Sequence, residues 1–259
     1  MSTIEGAVRL DRREAIAYIT FDRQAARNAM TWTMYEQLNS FLDWLEANRD
    51  IRVAVLRGAG GHFAAGTDIA QFRDFATGED GLAYERRLDA VVARLEATHA
   101  ATIAVVEGYA VGGGLALAAA CDVRICTPDA RFGVPIARTV GNCLSMANTA
   151  RLVAHLGASR TKAMLVTAGL LSAQEALQSG FVTSIVEPKR LDKQVDELAA
   201  GIATLAPITL QVSREAVRRI VASLSATGDD LVRRAYESLD FQEGVTAFLE
   251  KRLPRWEGR

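Results

Sequence analysis

The chain has 259 residues, 49% apolar and 24% charged, with a formal net charge of −1. That is an ordinary globular composition, long enough for one large core, and its near-neutral charge provides no global field to draw nucleic acid or an anionic membrane. The first residues lack the charged segment and apolar run of a signal peptide, and the uncharged stretch 108–121 is too short and too glycine-rich to span a bilayer.

Residues 8–10 and 15–21 read as strands around a polar turn at 11–14. Met34, Leu38, Phe41, Leu42 and Leu45 recur with helical period, and Thr33 with Glu36 fits a capping box. The apolar run 53–56 is expected as a buried strand and 86–97 as an amphipathic helix. Residues 102–106 form another buried strand, 115–120 a tightly packed small-residue helix and 123–126 a further strand. This alternation predicts an α/β chain of mainly parallel units. Beyond Leu144 the pattern is almost all helical: 191–205 and 208–224 separated by Pro207, then 229–239 and 243–252, with Ile185-Val186 as a last strand. The C-terminal third reads as a helical appendage rather than an independent domain. Cys121, Cys126 and Cys143 match no zinc spacing and read as free thiols of a reducing cytoplasm; no cluster of His, Cys, Asp and Glu suggests a metal.

Two glycine-rich stretches, Gly60-Gly61-His62-Phe63-Ala64-Ala65-Gly66-Thr67-Asp68-Ile69 and Glu107-Gly108-Tyr109-Ala110-Val111-Gly112-Gly113-Gly114-Leu115, share one layout. A buried strand ends, glycines permit close backbone approach, and a helix start leaves N–H groups unpaired. Such donors suit a developing negative charge on a substrate oxygen. Neither stretch has the glycine order of a dinucleotide fingerprint or the Gly-Lys-Ser/Thr of a P-loop. Each alone is also compatible with plain close packing.

Together with Arg27-Asn28-Ala29-Met30, Cys121-Asp122, Ala130-Arg131-Phe132-Gly133-Val134-Pro135 and the terminal run 243–252, these stretches resemble, in order, the motifs of the crotonase superfamily of enoyl-CoA hydratases and isomerases. The resemblance implies a spiral of β-β-α units over residues 1–195 and a helical trimerisation region over 196–259, assembled as a homotrimer or a dimer of trimers. It implies an acyl-CoA substrate, no cofactor beyond that CoA moiety, and no nucleic-acid or membrane partner. The backbone N–H groups of Thr67 and Gly113 would hold the thioester oxygen. Ala65, Asp68 and Ile69 would line the adenine and pantetheine path, Arg27 would lie near the CoA phosphates, and Phe248 and Lys251 would reach CoA from the terminal helix, within the chain or across a subunit boundary. Blander readings stay open: Asp68 as a brace for its loop, Lys251 as one member of a solvated charged face, Phe248 as a core residue.

The pattern departs from the family where its hydratases carry two glutamates: those positions are Ala116 and Ile136. Each positioned proton-transfer group is worth about 10²–10⁴-fold in rate, so ordinary hydratase chemistry by that pair is not expected. Arg138, Thr139, Asn142, Cys143, Ser145, Asp74, Asp80, Tyr84 and Glu85 are nearby polar alternatives, and no spacing singles one out; His62 is the one histidine beside the first loop. The expectation is an acyl-CoA enzyme of hydratase/isomerase type that stabilises a thioester enolate. A CoA-thioester decarboxylase or hydrolase is the first alternative and a non-catalytic CoA-binding protein the second.

Overall fold

The computed structural model describes residues 5–259. The first strand, β1 (Ala7–Arg13), runs antiparallel to β2 (Ile16–Asp22), with Arg13 opposite Ile16. The hairpin is therefore tighter than expected: Asp11, Arg12 and Arg13 belong to the strand, and the turn is Glu14-Ala15, with Glu14 at φ 53°. Charge alone suggested a turn, but these side chains lie on a strand at the edge of the sheet, where exposed charge is tolerated.

Helix α1 (Trp32–Ala47) is capped by Thr31, not Thr33; the Thr31 hydroxyl accepts the Met34 N–H at 3.2 Å. The expected box at Thr33 is displaced because Thr31 has the extended backbone that an N-cap needs. Strand β3 (Val53–Gly58) and helix α2 (Gly78–Ala97) follow. Helix α2 starts eight residues before the expected 86, at a capping box between Thr77 and Asp80. Then come β4 (Ala101–Val106), β5 (Tyr109–Val111), α3 (Gly113–Ala120), β6 (Val123–Cys126) and β7 (Arg131–Gly133). The short helix α4 (Ile136–Thr139) leads to α5 (Met146–Thr167), which is interrupted at Gly157 (φ 75°, ψ 157°). Next are β8 (Leu170–Ser172), α6 (Ala173–Gln178) and β9 (Ser184–Ile185). Helices α7 (Pro188–Ala203), α8 (Pro207–Ala222), α9 (Asp229–Tyr236) and α10 (Leu239–Leu249) complete the chain.

The main sheet has the order β1-β2-β3-β4-β6-β9, parallel from β2 onward, and a second sheet has the order β5-β7-β8. Period-two alternation divides the main sheet into two buried faces. Ala17, Ile19, Phe21, Ala54, Leu56, Ala104 and Val106 face the large core beneath α1, α2 and α3. Tyr18, Val53, Val55, Ile103, Val105 and Ile125 face the other way and are covered by Leu191, Val195 and Ala199 of α7. Helix α7 thus belongs to the sheet through residue 203, past the expected boundary at 195. Removing its Leu191 side chain to alanine would cost about 2–5 kcal/mol.

Helix α9 packs on α2 so closely that a Cβ on Gly81 would lie 2.1 Å from the Tyr236 ring. Helix α10 buries Phe241, Gly244, Val245 and Ala247, with Phe241 stacking near Phe72 and Phe75 of the segment after the first glycine-rich loop. Helix α8, by contrast, buries none of its residues. Among the described residues no single helix is long and apolar enough to cross a membrane.

Candidate active site

The two glycine-rich stretches meet. The Ala64 N–H donates to the Tyr109 carbonyl at 2.9 Å and the Val111 N–H to the Ala64 carbonyl at 3.0 Å, a short parallel bridge between the loops. On its other side the first loop is tied to Met30: the Met30 N–H donates to the Gly66 carbonyl at 2.8 Å and the Asp68 N–H to the Met30 carbonyl at 2.9 Å. Thr67 lies between these two bonds, and its own N–H has no acceptor among the described residues. Gly112, at φ 54° and ψ −120°, turns the second loop into α3, so the N–H of Gly113 is the first, unpaired donor of that helix.

Close approach explains the glycines. A Cβ on Gly114 would stand 2.1 Å from the Ala64 carbonyl oxygen. One on Gly113 would stand 2.7 Å from the Tyr35 hydroxyl, 3.1 Å from Thr67 Oγ1 and 3.8 Å from the Thr67 nitrogen. Two unpaired backbone donors therefore lie side by side in a largely buried place, an arrangement suited to an anionic oxygen.

The other expected residues separate into groups. Arg27 is exposed, in left-handed backbone at φ 50°, with its guanidinium 5.2 Å over the Tyr109 ring and no carboxylate partner among the described residues. Its carbonyl accepts the N–H of half-buried Ala65 at 3.0 Å, so the cation is fixed to the first loop. Asn28 is a buried brace: its amide donates to the carbonyls of Ala59 (2.8 Å) and His62 (2.6 Å) and accepts the Arg23 N–H (2.8 Å). The Asp68 carboxylate is likewise committed to its loop, pairing with Arg23 at 2.8 Å and capping Ala70 N–H at 3.2 Å. Of its two readings, the geometry supports the brace. Ile69 is half-buried against the core. Phe248 is 49% exposed rather than a core residue. Lys251 is exposed just beyond α10, while Arg252 takes up both Glu243 and Glu250. Neither Phe248 nor Lys251 touches Thr67 or Gly113 in any described contact.

Two positions singled out in the sequence, Ala116 and Ile136, carry alkyl side chains. Ala116 is buried on α3 and Ile136 is half-buried at the start of α4. Ala116 lines a small cavity of about 10 Å³, lined also by Asn148 and Arg151, with room for about a single water. Among the alternatives, Asp80 caps α2, Ser145 caps α5, Arg138 and Asp74 are exposed, and Thr139 bonds the Pro135 carbonyl. Burial pushes the Cys143 thiol up to about 12, which keeps it protonated and unreactive at neutral pH. His62 packs on Tyr109 with its Nδ1 buried and unpaired.

Tyr84 and Glu85 are different. The Tyr84 hydroxyl lies 2.9 Å from Thr67 Oγ1, which is also 2.9 Å from the Tyr35 hydroxyl. Glu85 is buried, accepts the Tyr236 hydroxyl at 2.7 Å and the Ser145 N–H at 3.1 Å, and its carboxyl is pushed up to about 7, chiefly by desolvation. Tyr236 in turn accepts the Asn142 amide at 2.9 Å. Tyr35 escaped sequence reasoning because it sits among the apolar positions of α1; the available signal was a phenol on a buried face, which requires a partner.

The fold and the paired loops define a crotonase-type α/β protein. Residues 11–259 match the family model "Enoyl-CoA hydratase/isomerase". The chain is 31% identical over 248 residues to the short-chain-enoyl-CoA hydratase of Clostridium acetobutylicum, covering 94% of each chain. It is 31% identical to the 2,3-dehydroadipyl-CoA hydratase of Escherichia coli, covering 96% of this chain and 98% of that one. Among solved structures it is similar to a methylmalonyl-CoA decarboxylase complexed with 2S-carboxypropyl CoA, with a TM-score of 0.88, 27% identity and full coverage of both chains. The chain belongs to the enoyl-CoA hydratase/isomerase family.

Proposed function

We propose that this protein is an acyl-CoA enzyme of the hydratase/isomerase type that stabilises a thioester enolate between the N–H groups of Thr67 and Gly113. The observation carrying this reading is the juxtaposition of two unpaired backbone donors at the meeting of the glycine-rich loops. Backbone donors fixed by the fold need no reorganisation when charge develops, and one such donor is typically worth about 10²–10³-fold in turnover. Arg27, a cation anchored to the same loop and without a carboxylate partner among the described residues, supports placing the CoA phosphates nearby. Ala65 and Ile69 fit the wall of the CoA path, and Phe248 and Lys251 its far end, contributed in an assembly.

A second reading is decarboxylation of a carboxyacyl-CoA. It is favoured by the alkyl side chains at Ala116 and Ile136, because loss of CO₂ produces the enolate without a base. The similarity to a methylmalonyl-CoA decarboxylase supports it further. For assembly we propose a homotrimer or a dimer of trimers through the C-terminal helices; Ile208, Val212, Val217 and Ile220 of α8 are each more than 60% exposed, apolar side chains that association would cover. Free thiols at Cys121, Cys126 and Cys143 are consistent with a cytoplasmic setting.

The test is a panel of crotonyl-CoA, a longer enoyl-CoA, malonyl-CoA and methylmalonyl-CoA, following enoyl absorbance, CO₂ and free thiol, with calorimetry on each ligand. Loss of enoyl absorbance selects the first reading, and CO₂ release the second. Binding without turnover throughout leaves a non-catalytic CoA-binding protein. Absence of binding discards all three.

A further inference from the structure

Three hydroxyl groups lie in a row beside the two backbone donors. Tyr35 Oη and Tyr84 Oη each stand 2.9 Å from Thr67 Oγ1, and neither phenol has another hydrogen-bond partner among the described residues. Tyr35, Tyr84 and Thr67 are all buried. The row holds three O–H protons but only two O···O contacts.

Because Thr67 has one proton to give, three arrangements exist: both phenols donate to Thr67, or Thr67 donates to one phenol while receiving from the other. In every arrangement one buried O–H is left without an acceptor. A phenol is far more acidic than an alcohol, and an alcohol oxygen is the better acceptor. The favoured arrangement therefore has both phenols donating, with the surplus proton on Thr67. An O–H whose oxygen already accepts two hydrogen bonds is polarised into a stronger donor. Burial raises the pKa of Tyr35 and of Tyr84, so both phenols stay protonated and keep that arrangement across the working pH range.

The position of this surplus donor is fixed. Thr67 Oγ1 lies 3.1 Å from where a Cβ of Gly113 would stand, next to the Gly113 N–H and on the residue that carries the other backbone donor. We propose that the Thr67 side-chain hydroxyl is a third hydrogen-bond donor to the thioester oxygen, with Tyr35 and Tyr84 as positioning residues that aim and polarise it. The inference rests on the reading of Thr67 and Gly113 as the thioester-binding donors. It supplies a reason for a hydroxyl residue at position 67: a developing enolate oxygen would meet three donors, which stabilises the intermediate at a site whose Ala116 and Ile136 offer no proton.

The test uses acetyl-CoA labelled with ¹³C at its carbonyl as a non-reacting probe, and reads the carbonyl chemical shift of the bound form. Wild-type protein is expected to move the resonance downfield. Thr67→Val should lose a large share of that displacement and Thr67→Ser should restore it, whereas Tyr35→Phe and Tyr84→Phe should each lose less than Thr67→Val. Should Thr67→Val fail to fold, the double variant Tyr35→Phe/Tyr84→Phe decides: it removes the two phenols that aim and polarise the Thr67 hydroxyl, so the displacement must fall below that of wild type. Bound probe with no displacement in wild-type protein overturns the thioester-donor reading and this inference with it. Full displacement in Thr67→Val, or a displacement equal to wild type in the double variant, overturns this inference alone.

Discussion

Two walls of the candidate site differ in what they can give a substrate. The wall formed by α3 and α4 presents a methyl group at Ala116 and an alkyl chain at Ile136. The wall formed by α1 and α2 presents the phenols of Tyr35 and Tyr84, and α2 carries a buried carboxyl group at Glu85 one residue further on. Between them, the backbone donors of Thr67 and Gly113 are set by loop geometry rather than by side-chain identity. On the function proposed above, charge-stabilising backbone and proton-handling side chains are separable parts of the site, because peptide N–H groups need only the right turn and the right glycines.

The comparison breaks most severely if the backbone part is disturbed. Gly114→Ala places a Cβ against the Ala64 carbonyl, which is backbone and cannot swing away. Overpacking of that kind is expected to cost about 3 kcal/mol and to abolish acetyl-CoA binding by forcing the loops apart. Thermal melting and calorimetry report the two effects. Gly61→Ala is the control: its Cβ would meet open space, so only the left-handed φ of 77° is penalised, by about 1 kcal/mol, with binding kept. Retained binding in Gly114→Ala would show that the two donors need not stand together.

Next in size is Glu85, which tests whether the polar wall carries strain that the apolar wall does not. Its carboxyl pKa is raised from 4.5 to about 7 in the folded protein. The folded state thus holds a proton that the unfolded chain releases. The resulting stability is fully present below pH 4.5 and lost as pH rises through 7, by roughly 3 kcal/mol in all. His155, lowered from 6.5 to about 4 by burial, acts with the opposite sign: its contribution is present above pH 6.5 and lost as pH falls through 4. Wild-type stability should therefore change little between pH 4.5 and 6.5. In Glu85→Gln the His155 slope is no longer offset by Glu85, with Asp89, also raised by burial, as the remaining opposing carboxyl, and stability should fall more steeply than in wild type as pH drops across that window. Denaturant unfolding at a series of pH values decides; a flat profile in the variant would remove Glu85 from the account.

Asp68→Asn separates brace from ligand contact at a smaller scale. Losing the charge-assisted bond to Arg23 should cost about 2 kcal/mol of stability, while asparagine can still cap Ala70. If the carboxylate only braces the loop, affinity for acetyl-CoA in the folded variant stays unchanged. A tenfold loss of affinity without loss of stability would return Asp68 to the ligand.

How far the two walls were legible depends on the kind of signal each carries. Hydrophobic alternation and short apolar runs mark β2, β3, β4 and β6, because a strand buried on both faces imposes a pattern on the chain. The glycine stretches announce close backbone approach, and the loops do meet. The start of α2 escaped attention because Thr77 and Asp80 precede a stretch with little apolar period, although their spacing is that of a cap. Strands β5, β7 and β8 are three residues each, too short to show a period. The row Tyr35–Thr67–Tyr84 joins three distant segments, and no local spacing encodes that meeting.

The smallest expected effects concern charge at the rim, and they ask whether the site is completed within one chain. Arg27 is fixed to the first loop and exposed, so Arg27→Ala should weaken acetyl-CoA binding by about fivefold, near 1 kcal/mol. That loss should shrink at high salt, since screening acts on exposed charges. Lys251 lies beyond α10 and touches neither Thr67 nor Gly113 in any described contact, so its influence on CoA requires either the long reach of its own side chain or a neighbouring copy. Polar substitutions at exposed apolar positions of α8, such as Ile208→Asp with Ile220→Asp, should dissociate an assembly built on that helix without touching the loops. If Lys251 acts across a subunit boundary, Lys251→Ala lowers affinity in the assembled protein and makes no difference in the dissociated one, whereas Arg27→Ala lowers affinity in both. Equal losses in both backgrounds would place Lys251 at its own chain's site, and no loss in either would leave it a solvated surface charge.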